Sequence, residues 1–413
     1  MAGNNVSQDE QSAKQPLMGV AKARAAMLAA VKPLPAQEVA IAQALGRVLA
    51  GPVLATRDQP PFFASGMDGY AIRAADTPGT LTVVGEAAAG HGFTGALGAG
   101  QAIRISTGAP IPDGADSVVI QEDVQRDGDA VTMSAANAGM NIRPRGGDFR
   151  AGMQLLETGR RLDGVALALA AAAGMPYLPV RTRPRVAILS SGDELAEPGE
   201  TPGPFQIFNS GTRGLAGLVE RWGGVAQRLA IARDNTPAIA TAAEQGLRDH
   251  DLLVVIGGAS VGDHDHAKPA LLRLGLEMRV DKIALRPGKP TWFGTTPLGP
   301  VLGLPGNPAS ALVCAELFAR PIIAGMLGRP VEPVFRRARL AEPLPANGPR
   351  EHYLRAHLDG DDEGRLVVRA FEQQDSSLLS VFAAANALIR LAPRAAALAA
   401  GTLVDVLPLD GAC

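Results

Sequence analysis

From residue 183 to 330 the hydrophobic positions come in short continuous runs separated by longer stretches of helical spacing. Residues 186–189, 252–256 and 301–304 are built from Val, Ile, Leu, Ala and Gly alone, the pattern of strands covered on both faces of a parallel sheet. Residues 211–222, 237–248 and 308–327 predict the covering helices. This alternation predicts a doubly wound α/β domain over 183–330, in which ligands bind beyond the carboxyl ends of the strands.

The texture differs on either side. Residues 18–31 predict a helix, and 37–49 a second, shorter one ended by Gly51 and Pro52. From 60 to 150 short β runs (81–84, 102–106, 117–121, 130–133) are separated by Gly, Pro and Asp, predicting a small all-β insertion. Helical spacing resumes at 164–174, so the two helical pieces are expected to join. After 331, strands are expected at 336–340, 353–358, 366–370, 388–391 and 403–406. The expected organisation is multidomain α/β plus β. It comprises a polar lead expected to be disordered (1–16), a discontinuous helical connecting domain (17–52 and 153–182), an inserted β domain (53–152), the α/β domain (183–330) and a C-terminal β domain (331–413).

Composition narrows the chemistry. A chain of 413 residues exceeds what a single core supports. With 39 Lys and Arg against 41 Asp and Glu and no basic run, it lacks the footprint of a nucleic-acid binder. Cys314 and Cys413 form neither a disulfide framework nor a zinc-ligand spacing, and the first sixteen residues lack the apolar core of a signal peptide. Both features lead to the expectation of a cytoplasmic protein. The Ala-rich stretch 165–174 is too short to span a bilayer, and 381–400 is interrupted by Arg390, Pro393 and Arg394; no membrane partner is expected.

Three loops, each after an apolar run, concentrate glycine, proline and charge: 190–198 (SSGDELAEP), 257–268 (GGASVGDHDHAK) and 304–310 (LPGNPAS). Small residues at a strand-to-helix turn let backbone N–H groups approach an anion. Glu194 and Asp193 follow one strand, Asp234 follows another apolar stretch, and Asp263 and Asp265 follow a third. Their hard oxygens, taken together, suit Mg²⁺ bound with substrate phosphates, although each alone could cap a helix or close a turn. His264 and His266 flank Asp265 at a spacing better suited to surface loop residues than to a transition-metal site. Lys282, Arg286 and Lys289 flank a Pro-Gly turn, as an oxyanion site requires and as a solvated strand edge also permits. In the β insertion, Asp68, Thr107, Arg143 and Asp148 stand among turn residues, and an Arg143–Asp148 ion pair would be a purely structural use of two of them.

These strings resemble a known family. Residues 67–71 (MDGYA), 107–110 (TGAP) with 114–119 (GADSVV), 192–195 (GDEL), 257–265 (GGASVGDHD), 287–290 (PGKP) and 303–308 (GLPGNP) resemble, in collinear order, the molybdopterin molybdenumtransferases of the MoeA family, to which the gephyrin E domain also belongs. The resemblance runs from about residue 18 to the end of the chain. It implies a four-part subunit and a homodimer in which the insertion of one copy faces the α/β pocket of the other, so that Asp68, Thr107, Arg143 and Asp148 complete a shared active site. The reaction implied inserts molybdate into adenylylated molybdopterin and releases AMP. Mg²⁺ on Glu194, Asp234 and Asp265 and cations at Lys282, Arg286 and Lys289 would meet the substrate charge. Gly192, Asp193, Ser210, Gly257, Gly258, Ser260, Gly262, Pro305, Gly306, Asn307, Pro308 and Ser310, with Arg355 and Ser376 from the C-terminal domain, would hold the pterin and its phosphate. The molybdopterin adenylyltransferase and client molybdoenzymes are the further partners implied.

The chain departs from the family pattern at Gly66, Ala259, Arg286 and Gly211. Gly211, standing where Asn is usual, removes an amide from the expected pterin contacts. Two alternatives share the fold: the adenylyltransferase itself, which normally consists of the α/β domain alone, and a non-enzymatic gephyrin-like scaffold, which has no need of the clustered acids.

Overall fold

A computed structural model describes residues 17–257 and 266–409. The chain forms two compact units, Glu38–Val180 and the combination of Met1–Gln37 with Arg181–Cys413.

In the first unit, six strands form one sheet in the order Ser117–Ile120, Gly69–Ile72, Gln101–Ile105, Gly79–Ala87, Ala130–Met133 and Val124–Asp127. Alternation assigns its faces. Tyr70, Ile72, Ala102 and Val119 join one core, while Ala71, Ile103, Ile105 and Val118 join the other. A further core draws Ala44, Leu49 and Val53 together with Leu156, Leu162, Leu178 and Val180 from the far side of the insertion. Helix Gly164–Ala172 packs into it and is capped by Asp163, whose carboxylate accepts from the Ala166 N–H at 2.7 Å.

The helix expected at 37–49 is not formed. Ala36–Ala40 is a strand, followed by a single 3₁₀ turn at Ile41–Gln43. Gly46 then turns at φ +74°, outside helical geometry, and Leu49 bridges Val180 in antiparallel fashion. Cross-chain pairing overrides a weak local helical pattern containing the β-branched Val39 and Ile41. The helix expected at 18–31 forms at Val20–Leu28, but it belongs to the α/β unit. Met18 pairs in parallel with Ile283, and Leu28 packs at Gly325 of the helix Arg320–Met326.

The α/β domain carries a six-stranded sheet in the order Val225–Arg228, Arg185–Ser190, Leu252–Ile256, Gly299–Leu304, Trp292–Thr296 and Glu277–Val280. The first four run parallel, Trp292–Thr296 runs against them, and Glu277–Val280 is antiparallel to Trp292–Thr296 in turn. Ala187, Leu189, Leu253 and Val255 meet Ile239, Ala243 and Leu271 of the helices Thr236–Asp249 and Ala267–Leu272. Helix Gly211–Arg221 packs against Pro308–Cys314, with Leu312 against Gly214. The helical run Pro308–Met326 is long and apolar enough to span a membrane, but 89% of its window is buried inside the protein, as a core helix.

The C-terminal strands close into a barrel. Glu351–Gly360, Leu366–Ala370, Arg336–Leu340, Leu403–Pro408 and Ala387–Leu391 pair in turn, and the last returns to the first. Leu285–Arg286 adds to this sheet in parallel with Glu351–His352, coupling the barrel to the α/β domain.

Candidate active site

The three glycine-bearing loops meet at one end of the α/β sheet because their strands are neighbours. Gly257 follows Leu252–Ile256 at φ +92°, and a Cβ there would lie 3.2 Å from the Ser191 carbonyl. A Cβ on Gly306 would lie 3.6 Å from the Gly257 Cα. The Ala232 N–H donates to the Ser190 carbonyl at 2.9 Å and the Asp234 N–H to Asp193 Oδ1 at 3.4 Å, so the Asp193–Glu194 and Asp234 loops adjoin. The Glu194 carboxylate folds back over Gly192, where any side chain would strike it. Gly258, Ser260, Gly262 and Asp265 lie outside the described residues, as do Ala259 and His264. His266 lies within them, its Nδ1 3.5 Å from Thr236 Oγ1, and no group of three metal-ligating side chains occurs among the described residues.

The cation turn is seated on the helix that begins at Pro308. Gly288, at φ +114°, faces Cys314 so closely that a Cβ would lie 2.2 Å from its sulfur, and Thr291 Oγ1 donates to that sulfur at 3.3 Å. Burial pushes the Cys314 thiol up to about 12, so it serves packing and not nucleophilic chemistry. Arg286 and Lys289 are exposed, and the side chains of Lys282, Arg286 and Lys289 make no hydrogen bond or ion pair among the described residues. Pro305 and Ser310 are buried, while Gly306 and Asn307 are exposed at the loop crest. Ser210 precedes helix Gly211–Arg221 without capping it. Gly211 faces Ile256, where a Cβ would make ordinary contact at 3.6 Å.

The barrel reaches the same loop. Asn307 Nδ2 donates to Ser376 Oγ at 2.7 Å. Arg355 has a different role from the one its sequence position predicts. It is 2% exposed, and its guanidinium donates to the carbonyls of Asp375 and Leu378 and to Gln374 Oε1. It therefore organises the loop that carries Ser376. His352, opposite Arg286 in register, is pushed down to about 4 by burial and by the charges of Arg286, Arg350 and Arg355.

In the β unit, Asp68 and Thr107 are brought together. Asp68 Oδ1 accepts from the Thr107 N–H at 2.6 Å, and that bond, the Thr107 hydroxyl and Arg104 hold the carboxyl below its ordinary range. Arg143 and Asp148 line one open pocket of about 730 Å³ with Arg57, Pro61, Phe62 and Gly108. They do not pair with each other; the ion pair at this corner is Arg145–Asp58 at 2.6 Å. Gly69, inside the MDGY string, is required by close approach, since a Cβ would lie 2.0 Å from the Val119 carbonyl.

Sequence reasoning missed the polar network beneath the acid loop. Asn209, 4% exposed, donates from Nδ2 to Ser190 Oγ at 3.0 Å and to Glu197 Oε1 at 3.1 Å, and Thr212 Oγ1 donates to Asn209 Oδ1 at 3.0 Å. Glu197 also receives Arg228 in bidentate fashion and Arg213. Burial acts to raise its carboxyl, but Arg228, Asn209 and Arg213 outweigh that and hold it low. The network's members are scattered between 190 and 228, so nothing in local spacing marks them as a set.

Comparison with known proteins matches three stretches of the chain. Residues 18–174 match the MoeA N-terminal region (domain I and II), 187–325 the probable molybdopterin binding domain, and 337–409 the MoeA C-terminal region (domain IV). A molybdopterin molybdenumtransferase of Nostoc sp. is 38% identical over 322 residues, covering 75% of this chain and 74% of that protein. Molybdopterin molybdenumtransferase 2 of Mycobacterium tuberculosis is 35% identical over 93% of this chain and 97% of its own length. A crystal structure of the molybdopterin biosynthesis MoeA protein from Pyrococcus horikoshii has the same fold, with a TM-score of 0.84 and 31% identity, covering 96% of this chain and 100% of that one.

Proposed function

The chain belongs to the MoeA family of molybdopterin molybdenumtransferases, and from that premise we propose that its α/β domain takes adenylylated molybdopterin and molybdate and releases AMP. It is a transferase of molybdenum cofactor biosynthesis. In the proposed step water attacks the substrate's pyrophosphate, AMP departs and the pterin keeps its own phosphate, while the two dithiolene sulfurs displace one oxo group of molybdate, which leaves as water with their two protons, so molybdenum keeps its oxidation state.

The observation that carries this proposal is the meeting of the Ser191, Gly257 and Gly306 backbones at one sheet end, beside the turn seated on the adjoining helix, whose Lys282, Arg286 and Lys289 side chains make no hydrogen bond or ion pair among the described residues. Backbone amides there can receive a phosphate. Arg286 offers a fork of donors, and Lys282 and Lys289 offer point charges, to the oxyanion. Asn307 and Ser376 present hydroxyl and amide groups from two domains to the same edge.

Mg²⁺ would be held by Glu194, Asp234 and Asp265. The first two put hard carboxylate oxygens on adjoining loops, which fits such an ion. When bound, it would offset the charge of the pyrophosphate.

Asp68, Thr107, Arg143 and Asp148 belong to the other compact unit. Their proposed role is to complete the site of a second copy in a homodimer, supported by the open pocket that Arg143 and Asp148 line without pairing. A cytoplasmic location, and exchange of substrate and product with the molybdopterin adenylyltransferase and client molybdoenzymes, complete the proposal.

The test is AMP release from adenylylated molybdopterin. Release should require both molybdate and Mg²⁺ and should be lost in Glu194→Gln and Asp265→Asn. Adenylylation of molybdopterin by ATP, or unchanged release in both variants, would overturn it.

A further inference from the structure

The acid loop is held from behind by one strap, residues 203–209. Its far end is anchored by buried Asn209, whose N–H also donates to the Ala196 carbonyl at 2.9 Å. Along its length, Ile207–Phe208 pair in parallel with Leu195–Ala196, and the Ile207 N–H donates to the Glu194 carbonyl at 2.7 Å. At the near end a side chain takes over. Gln206 Nε2 donates to the Asp193 carbonyl at 3.0 Å and lies 3.5 Å from the Leu195 carbonyl. Its Oε1 accepts from the Gly203 N–H at 2.9 Å, so the carboxamide is fixed at both ends.

Asp193 is thereby gripped twice. Its carbonyl is held by Gln206, and its carboxylate receives the Asp234 N–H. The chain of contacts runs from Gln206 through Asp193 to the Asp234 loop, and so links the two loops that carry Glu194 and Asp234. Two side chains of the strap tie it to the acid loop among the described residues: Asn209 reaches Ser190 Oγ and Glu197 Oε1 at the loop's two ends, and Gln206 reaches the backbone beside the acids themselves.

We propose that Gln206 is a positioning residue for this site, clamping the acid loop at the geometry the reaction needs. This rests on the proposal that Glu194 and Asp234 act in that reaction. An exposed hydrogen bond contributes little to global stability, whereas a small misplacement of an aligned group costs rate steeply.

The experiment compares wild type with Gln206→Met, which loses both arms, and Gln206→Glu, which keeps the acceptor for Gly203 and loses the donor to Asp193. AMP release is measured with adenylylated molybdopterin and molybdate, alongside amide hydrogen exchange over residues 193–196 and thermal unfolding. Both variants are expected to lose kcat roughly tenfold, to keep KM within about twofold and the melting temperature of the wild type, and to exchange faster over 193–196. If both keep wild-type kcat while Glu194→Gln loses it, the clamp is refuted. Wild-type behaviour of Gln206→Glu alone would place the effect in the Gly203 turn and would also refute it. If Glu194→Gln and Asp234→Asn themselves keep full rate, the premise about the acids fails, an outcome the Gln206 variants cannot mimic.

Discussion

Replacing His352 with glutamine should flatten the acid limb of the stability curve. His352 is 8% exposed on the strand Glu351–Gly360, and burial with Arg286, Arg350 and Arg355 lowers it from 6.5 to about 4. Because the folded value is the lower one, the unfolded chain takes up this proton first as pH falls. The site's contribution is therefore unchanged above about pH 6.5, declines as pH drops from there towards 4, and levels off below. Between pH 7 and pH 5 the linkage relation yields a loss of about 2 kcal/mol. Urea unfolding of both proteins at pH 5, 6 and 7 isolates the site, since the shifted carboxylates common to both cancel in the difference. The wild type should lose about 2 kcal/mol more than His352→Gln across that interval. Parallel curves, within about 0.5 kcal/mol, would refute the proposed environment of His352.

Other perturbations separate structural from chemical roles. Gly69→Ala, whose methyl would meet the Val119 carbonyl at 2.0 Å, should destabilise the β unit by roughly 3 kcal/mol or more in thermal unfolding. Gly66→Ala, with 3.1 Å to the Asn141 carbonyl, should cost less than about 1 kcal/mol in the same assay. Arg355→Met strands the Asp375 and Leu378 carbonyls and should cost about 3 kcal/mol by denaturant unfolding, with faster hydrogen exchange over 374–378. Asp68→Asn retains an acceptor for the Thr107 N–H, so it should melt as the wild type does while its molybdate-dependent AMP release falls at least about tenfold.

The α/β alternation was legible because each run announces itself locally. Residues 252–256 are apolar throughout, and the strand Leu252–Ile256 occupies the same span. Glu277–Val280 and Trp292–Thr296 were not legible. The first is an edge strand with three exposed residues, lacking an apolar run, and the second contains Gly294, which looks like a breaker. That glycine is there because a Cβ would lie 2.6 Å from the Glu277 carbonyl of the neighbouring strand. Arg355 shows the same gap within the site. The resemblance offered it to the pterin cleft, and nothing in its local sequence showed that its guanidinium is engaged by the carbonyls of Asp375 and Leu378.

What the sequence determined by itself is the inventory: glycine-bearing turns after apolar runs, acids and cations beside them, and motif strings whose order identifies the family. These depend on near neighbours along the chain, where steric freedom, periodicity and turn chemistry act. Tertiary structure alone decided the assembly. It turned 37–49 away from helix, placed Ser191, Gly257 and Gly306 in contact, seated Gly288 on Cys314, and gathered Ser190, Glu197, Asn209 and Arg228 into one network. Each of those outcomes is a contact between residues distant in sequence, and such contacts are settled by close packing and by the need to pair every buried polar group.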